Sequence, residues 1–311
     1  MFNFAKKIFL MMERKTNLKL ATRLLLLLCI MFAGLIAASV LGILVVNQGM
    51  LAMLTVQDVF AFIVPAILAM AIFYRRPLHV MCLDRAPGLK AILVVLAFYL
   101  VSLPAMNWLV DFNQSVSLPS WMSGIEQLMR AMEDSAADVT EQLLDINTLW
   151  QFLSSVFVIG VMAGLSEEML FRGAMQRTMQ DSRLNTHAVV WITAIVFSAF
   201  HMQFFGFIPR MVLGAWLGYL LVWTRSLWVP IIAHALNNST VVFFSYLANK
   251  GIMPEDFGDH LGLPAPGAFP WLALLSLIAS LALAFWASRL LTTTPSNQSN
   301  RSHGDDANFE V

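Results

Sequence analysis

Charge is scarce in this sequence. Asp, Glu, Lys and Arg make up 12% of the 311 residues, against about 25% in a soluble domain. With 59% hydrophobic residues, this excludes a disordered chain and weighs against a water-soluble globular one. Cysteine is scarcer still: Cys29 and Cys82 give neither a disulfide framework nor a zinc ribbon. No sign of charge dominates, since 19 basic and 19 acidic side chains cancel, so nothing points to nucleic acid as a partner. No internal repeat is visible, which removes the symmetry argument for an inverted-repeat transporter.

The sequence does have long apolar runs. A membrane-spanning helix needs about 20 mostly apolar residues. Runs near 24–46, 56–74, 90–110, 150–171, 188–205, 210–224, 227–248 and 270–291 predict an all-α polytopic membrane helix bundle of about eight transmembrane helices. The first run exceeds the about 7–15 apolar residues of a signal peptide, so it reads as a retained helix. Before it, residues 1–23 form a basic N-terminal arm. Within that arm 1–12 reads as a short interfacial helix with Phe2, Phe4, Ile8 and Phe9 toward lipid.

The remaining chain divides by composition. Residues 24–110 hold the N-terminal transmembrane helices. Residues 111–149 form an acidic external loop, in which Glu126, Glu133, Asp134, Asp138, Glu141 and Asp145 face a single Arg130. Trp121, Ile125, Leu128, Met129 and Met132 recur there at helical spacing and predict an amphipathic helix resting on the membrane surface. Residues 150–248 form a further membrane domain, 249–291 an external loop and the last transmembrane helix, and 292–311 a polar, disordered cytoplasmic tail.

With both termini in the cytoplasm, Arg130, Arg210 and Lys250 are the only bases assigned outside, a strong positive-inside asymmetry. On the same topology Arg172 counts among the cytoplasmic bases and Asp58 among the external acids. Glu167 and Glu168 belong to neither loop population. Ionisable groups within spans are costly and by default point to function.

Helical spacing sorts these polar residues. Glu168 and Arg172 are four apart, so they share a face and can pair. Glu167 is turned about 100° away and lacks that partner, which suits a general base. The plainer alternative is a charged helix end snorkelling to the interface. His201 follows Phe197 on the next apolar run, and His234 and Asn238 lie four apart on a third. Singly, each also reads as a hydrogen-bonded core residue or interhelical glue. Together, a carboxylate, two imidazoles and an amide supply what hydrolysis needs: an acceptor for the water proton and donors for an oxyanion. Glu167, His201 and His234 also make a two-histidine, one-carboxylate set of the kind a catalytic zinc uses, though no HExxH helix presents it.

The motifs EExxxR (Glu167, Glu168, Arg172), FxxxH (Phe197, His201) and HxxxN (His234, Asn238) occur in that order on apolar helices. This pattern resembles the CPBP family of intramembrane proteases, which includes CAAX-processing endopeptidases and bacteriocin-processing or bacteriocin-immunity proteins. The resemblance covers roughly residues 150–248. It implies hydrolysis of a peptide bond in a membrane-embedded or lipid-attached peptide, within the lipid bilayer. It further implies that Glu167 activates water, that His201 helps to orient it, and that His234 and Asn238 bind the oxyanion. Glu168 and Arg172 would pair and support the site. The family has been described both as metal-independent glutamate proteases and as metalloproteases. The first description is preferred, with no cofactor required; zinc on Glu167, His201 and His234 is the alternative.

Two rival functions stand beside this one: a non-catalytic scaffold or immunity-type protein, and a proton-coupled transporter. Compact loops point to a multi-pass protein of a bacterial inner membrane. One geometric tension remains. His201 lies about 20 Å along its helix from residue 188, whereas Glu167 is near the cytoplasmic end of an apolar run that stops at 171. A bend at 206–209 lying below the outer surface would bring the two together.

Overall fold

The structure, a computed structural model, describes residues 14–182, 184–254, 257–265 and 268–292. The expected interfacial helix 1–12 and disordered tail beyond 292 lie outside these residues, as do Arg183, Glu255 and Asp256. Among the described residues there is no strand, only an isolated bridge between Arg14 and Tyr74.

Among the described residues seven helices are long and apolar enough to cross a membrane. They are α1 (Leu20–Gln48), α2 (Met50–Phe73), α3 (Leu89–Ser115), α5 (Leu149–Gln180), α7 (Phe204–Thr224), α8 (Trp228–Asn249) and α9 (Trp271–Thr292). Between them lie the amphipathic α4 (Ser123–Leu144) and the short apolar α6 (Thr186–Phe200). The chain is an integral, multi-pass membrane protein.

The eighth expected span is the exception. At 15 residues, α6 is about 22 Å long, short of a hydrocarbon core of about 30 Å. Sequence patterning assigned the shortness to the run 210–224. Instead α7 also takes in Phe204 to Pro209, because Pro209 sits in its first turn, where a missing N–H costs nothing. His201 ends α6, and Met202 turns the chain back with a φ of 55°.

A second correction concerns α5. Its apolar run stops at 171, yet the helix continues to Gln180. The polar residues of this extension are buried and partnered rather than solvated. Arg172 bonds Glu168, Gln176 Nε2 donates to the Gly218 carbonyl at 3.0 Å, and Arg177 Nε donates to the Val80 carbonyl at 2.6 Å. Arg172 is therefore not a cytoplasmic loop base. Glu167 lies about 20 Å from the end of α5, close to the about 22 Å that separates His201 from the start of α6. The apparent mismatch in depth arose from the misplaced helix end.

Asp58 is the third correction. Helix α2 begins at Met50, so Asp58 lies two turns inside it and is only 7% exposed, not in an external loop. It opens a wide π-helical turn, Asp58–Ile63, immediately before Pro65. The proline ring clashes with the carbonyl four residues back, and the widened turn accommodates it.

Long-range hydrogen bonds define the two ends of the bundle. At the basic end the buried Asp181 accepts from Arg14 Nε (2.6 Å), Arg23 Nη1 (2.7 Å) and Tyr74 Oη (3.1 Å), tying the N-terminal arm to the end of α5. Burial, reinforced by the Asp181 charge, pushes the Tyr74 phenol up to about 12, so it stays a donor. At the opposite end α4 leaves Ile125 and Leu128 exposed, as its amphipathic pattern requires, and Trp121, in the short turn before it, is exposed as well. Its Glu133 accepts from the Phe205 N–H at 3.3 Å, and Arg130 lies 4.3 Å over the Phe205 ring.

Helices α5 and α8 approach closely at Gly160 and Gly164. A Cβ at Gly164 would lie 2.9 Å from the Ala235 backbone nitrogen, and one at Gly160 only 2.2 Å from Ser239 Oγ. Small residues four apart let two backbones meet where apolar burial gives no driving force. We expect Gly164→Val to force the helices apart and cost about 1–3 kcal/mol of stability, the usual range for overpacking. Thermal unfolding in detergent reads this out. Gly124→Val on α4, with nothing within 4 Å of a new Cβ, is the control and should shift the midpoint far less.

Candidate active site

Helix α5 carries both glutamates in Ala163–Glu168, an α-helical stretch flanked by two π-helical ones, Val156–Met162 and Met169–Gln176. Such widened turns recur at functional sites because they re-aim side chains without breaking the helix. Glu168 is completely buried. Its Oε1 accepts from Arg172 Nη1 at 2.6 Å and from His234 Nδ1 at 2.8 Å. The expected pairing of Glu168 with Arg172 is therefore present, with His234 of α8 joined to the same oxygen.

Arg172 completes a second layer. Its Nη2 donates to the Gly214 carbonyl of α7 at 3.0 Å, and its guanidinium lies 4.4 Å from the Phe197 ring centroid. Phe197 is packed edge-on against Phe171 (5.2 Å), His201 (5.1 Å) and His234 (5.8 Å). The phenylalanine of the FxxxH motif is thus the wall against which both imidazoles are held.

Glu167 is turned away from this pair. Its Oε2 has no hydrogen-bond partner and lies 3.8 Å from His234 Nε2, beyond hydrogen-bond range. Its side chain keeps 18% exposure, whereas that of Glu168 has none. His201 Nδ1 donates to the Phe197 carbonyl at 3.0 Å, and the ring lies within electrostatic reach of Glu167 and His234. Both histidines thus commit Nδ1 to a fixed acceptor, which leaves Nε2 for a ligand. Asn238 sits one turn beyond His234; its Nδ2 donates to the Ile159 carbonyl of α5 at 3.2 Å and retains a second N–H.

The structure therefore brings Glu167, Glu168, Arg172 and His234 into one contiguous set, places His201 beside it, and sets Asn238 a turn away. Among the described residues no group of three or more His, Cys, Asp or Glu side chains is gathered closely enough to hold a metal ion, and this includes Glu167, His201 and His234. Two residues at the site escaped the sequence patterning. Ser166 Oγ donates to Asp58 Oδ1 at 2.9 Å, directly beside Glu167. The available signal was the apolar stretch 50–56, which continues the helix on the N-terminal side of Asp58.

Removing one member of a buried ion pair leaves the other uncompensated, at a cost of about 3–5 kcal/mol. We expect Glu168→Leu and Arg172→Met each to lose stability on that scale. The double variant should lose less than the sum, because neither member of the ion pair is stranded and the His234 imidazole left without its acceptor can go neutral. Thermal unfolding of the four proteins in one detergent measures the cycle.

Residues 149–240 match the family model described as Type II CAAX prenyl endopeptidase Rce1-like. Over 110 residues the chain is 30% identical to a protein of Bacillus subtilis (strain 168) named "Uncharacterized protein YpbD". That alignment covers 34% of this chain and 52% of the relative, so the chain spans about half the length of the curated relative it matches. No solved structure matches the chain. The matched segment 149–240 carries all three motifs, and the match agrees with the resemblance read from them.

Proposed function

We propose that this protein is an intramembrane endopeptidase that hydrolyses a peptide bond of a membrane-embedded or lipid-attached peptide. The observation that carries this reading is the separation of the two glutamates: Glu168 is fully buried with its Oε1 bonded to Arg172 and His234, while Glu167 keeps 18% exposure and lies 3.8 Å from His234 Nε2. In the reaction, Glu167 takes a proton from water as the water oxygen attacks the scissile carbonyl. His201 orients the water from Nε2. His234, which donates from Nε2 when doubly protonated, and the second N–H of Asn238 stabilise the oxyanion. Glu167 then returns the proton to the leaving nitrogen as the C–N bond breaks, giving a carboxylic acid and an amine. Glu168 and Arg172 hold α5 and His234 in place. The basic end of the bundle faces the cytoplasm of a bacterial cell, and the inner membrane is its home.

Glu167→Gln removes the proton acceptor but keeps the shape. General acid–base groups contribute about 10²–10⁴-fold, so its rate should fall on that scale with stability unchanged. Comparative proteomics of membranes carrying wild type or Glu167→Gln should find a peptide whose cleaved form disappears in the variant. Identical cleaved products in both would sink the proposal and favour a scaffold or immunity-type role.

The proposed chemistry requires no metal. Wild-type enzyme stripped with a chelator and dialysed is expected to retain its cleavage rate. Activity that is lost on stripping and returns with zinc would overturn this part of the mechanism.

A further inference from the structure

Asp58 is an acid two turns inside an apolar helix, where an ionisable group is expensive. Neither of the cheap explanations fits it. At 7% exposure it does not snorkel to water, and among the described residues no cation lies within ion-pair distance. The contact it makes is with the Ser166 hydroxyl at 2.9 Å, across the interface between α2 and α5. Ser166 immediately precedes Glu167, and Asp58 lies within electrostatic reach of Glu167 itself.

The Ser166 hydroxyl has two acceptors to choose between. One is Asp58; the other is the Ala163 carbonyl of its own helix, at 3.1 Å. A serine that bonds back to its own helix bends it slightly. Here such a bend would fall one residue before the two glutamates, in the short α-helical stretch between two π-helical ones. Asp58 Oδ1 is the nearer of the two, 2.9 Å against 3.1 Å, and it draws the hydroxyl toward α2. The widened turn at Asp58–Ile63 is what delivers that carboxylate to the α5 interface.

We propose that Asp58 is a positioning residue for the hydrolytic site: by accepting from Ser166 it fixes the turn of α5 that aims Glu167 at the histidines and Glu168 at Arg172. This rests on the endopeptidase reading above. It makes the N-terminal helices, which carry none of the three motifs, part of the catalytic apparatus.

The test uses the purified full-length protein in detergent and a mixture of S-farnesylated fluorogenic peptides with varied last three residues. kcat and KM are measured for wild type, E167A, D58A, D58N, S166A and the D58A/S166A double variant. Misplacing a reacting group by about 1 Å costs up to about 100-fold, so D58A and S166A should each lower kcat by about 10–100-fold. KM should stay within about twofold, because substrate binding is not what the pair controls. The double variant should be no slower than D58A alone. D58N keeps an acceptor for Ser166 and should recover most of kcat, which a loss of folded protein would not reproduce. Where D58A does not fold, a slow S166A beside a fast D58N supports the proposal. A D58A or S166A with full kcat, or losses that multiply in the double variant, overturns it while leaving the endopeptidase reading intact. If wild type cuts no peptide of the mixture faster than E167A, and the membrane proteomics also yields no product, that reading and this inference fall together.

Discussion

A single carboxylate organises this membrane domain. Glu168 is fully buried, and one of its oxygens is shared between Arg172 on its own helix and His234 on α8. An isolated charge at that depth would cost several kcal/mol, so the three side chains are held together by what separating them would expose. Through Arg172 the contact extends to α7 at the Gly214 carbonyl and to α6 at the Phe197 ring. Four helices meet at this contact, and the close approach of α5 to α8 at Gly164 places the partners within reach.

The proposed chemistry rests on how adjacent glutamates divide. On a helix, consecutive residues point about 100° apart, so two identical side chains enter different environments. One is neutralised and becomes structure. The other stays partly exposed, opposite imidazoles whose Nδ1 atoms are already committed. The latch at Asp181 repeats the same logic at the basic end, where two arginines and a tyrosine converge on one buried acid and anchor the far end of α5. Helix α5 is thus held both at its centre and at its terminus.

Much of this was legible in the sequence, because apolar runs, helical spacing and three short motifs are local signals. The pairing of Glu168 with Arg172 followed from a spacing of four, and the amphipathic α4 from its periodic apolar residues. What escaped depended on which polar residues find partners in three dimensions. Arg172, Gln176 and Arg177 looked like the start of a loop, yet each is buried against another helix, so α5 runs nine residues beyond its apolar run. Asp58 looked like the acidic edge of a span because hydropathy alone cannot see Ser166 across the interface. The shortness of one span was foreseen but assigned to the wrong helix, since Pro209 was taken as a break when it stands in a helical first turn. Gly160 and Gly164 went unremarked, because a close approach is visible only with both helices present.

The most direct test of this arrangement is the hydrogen bond between His234 and Glu168. In lipid bilayers, solid-state NMR of ¹⁵N-histidine-labelled protein should show a His234 Nδ1 bound to a proton and shifted by a carboxylate acceptor. That signal should collapse in Glu168→Ala and persist in Glu167→Ala. A signal that survives loss of Glu168 and vanishes with Glu167 would exchange the roles of the two glutamates and contradict the site as described.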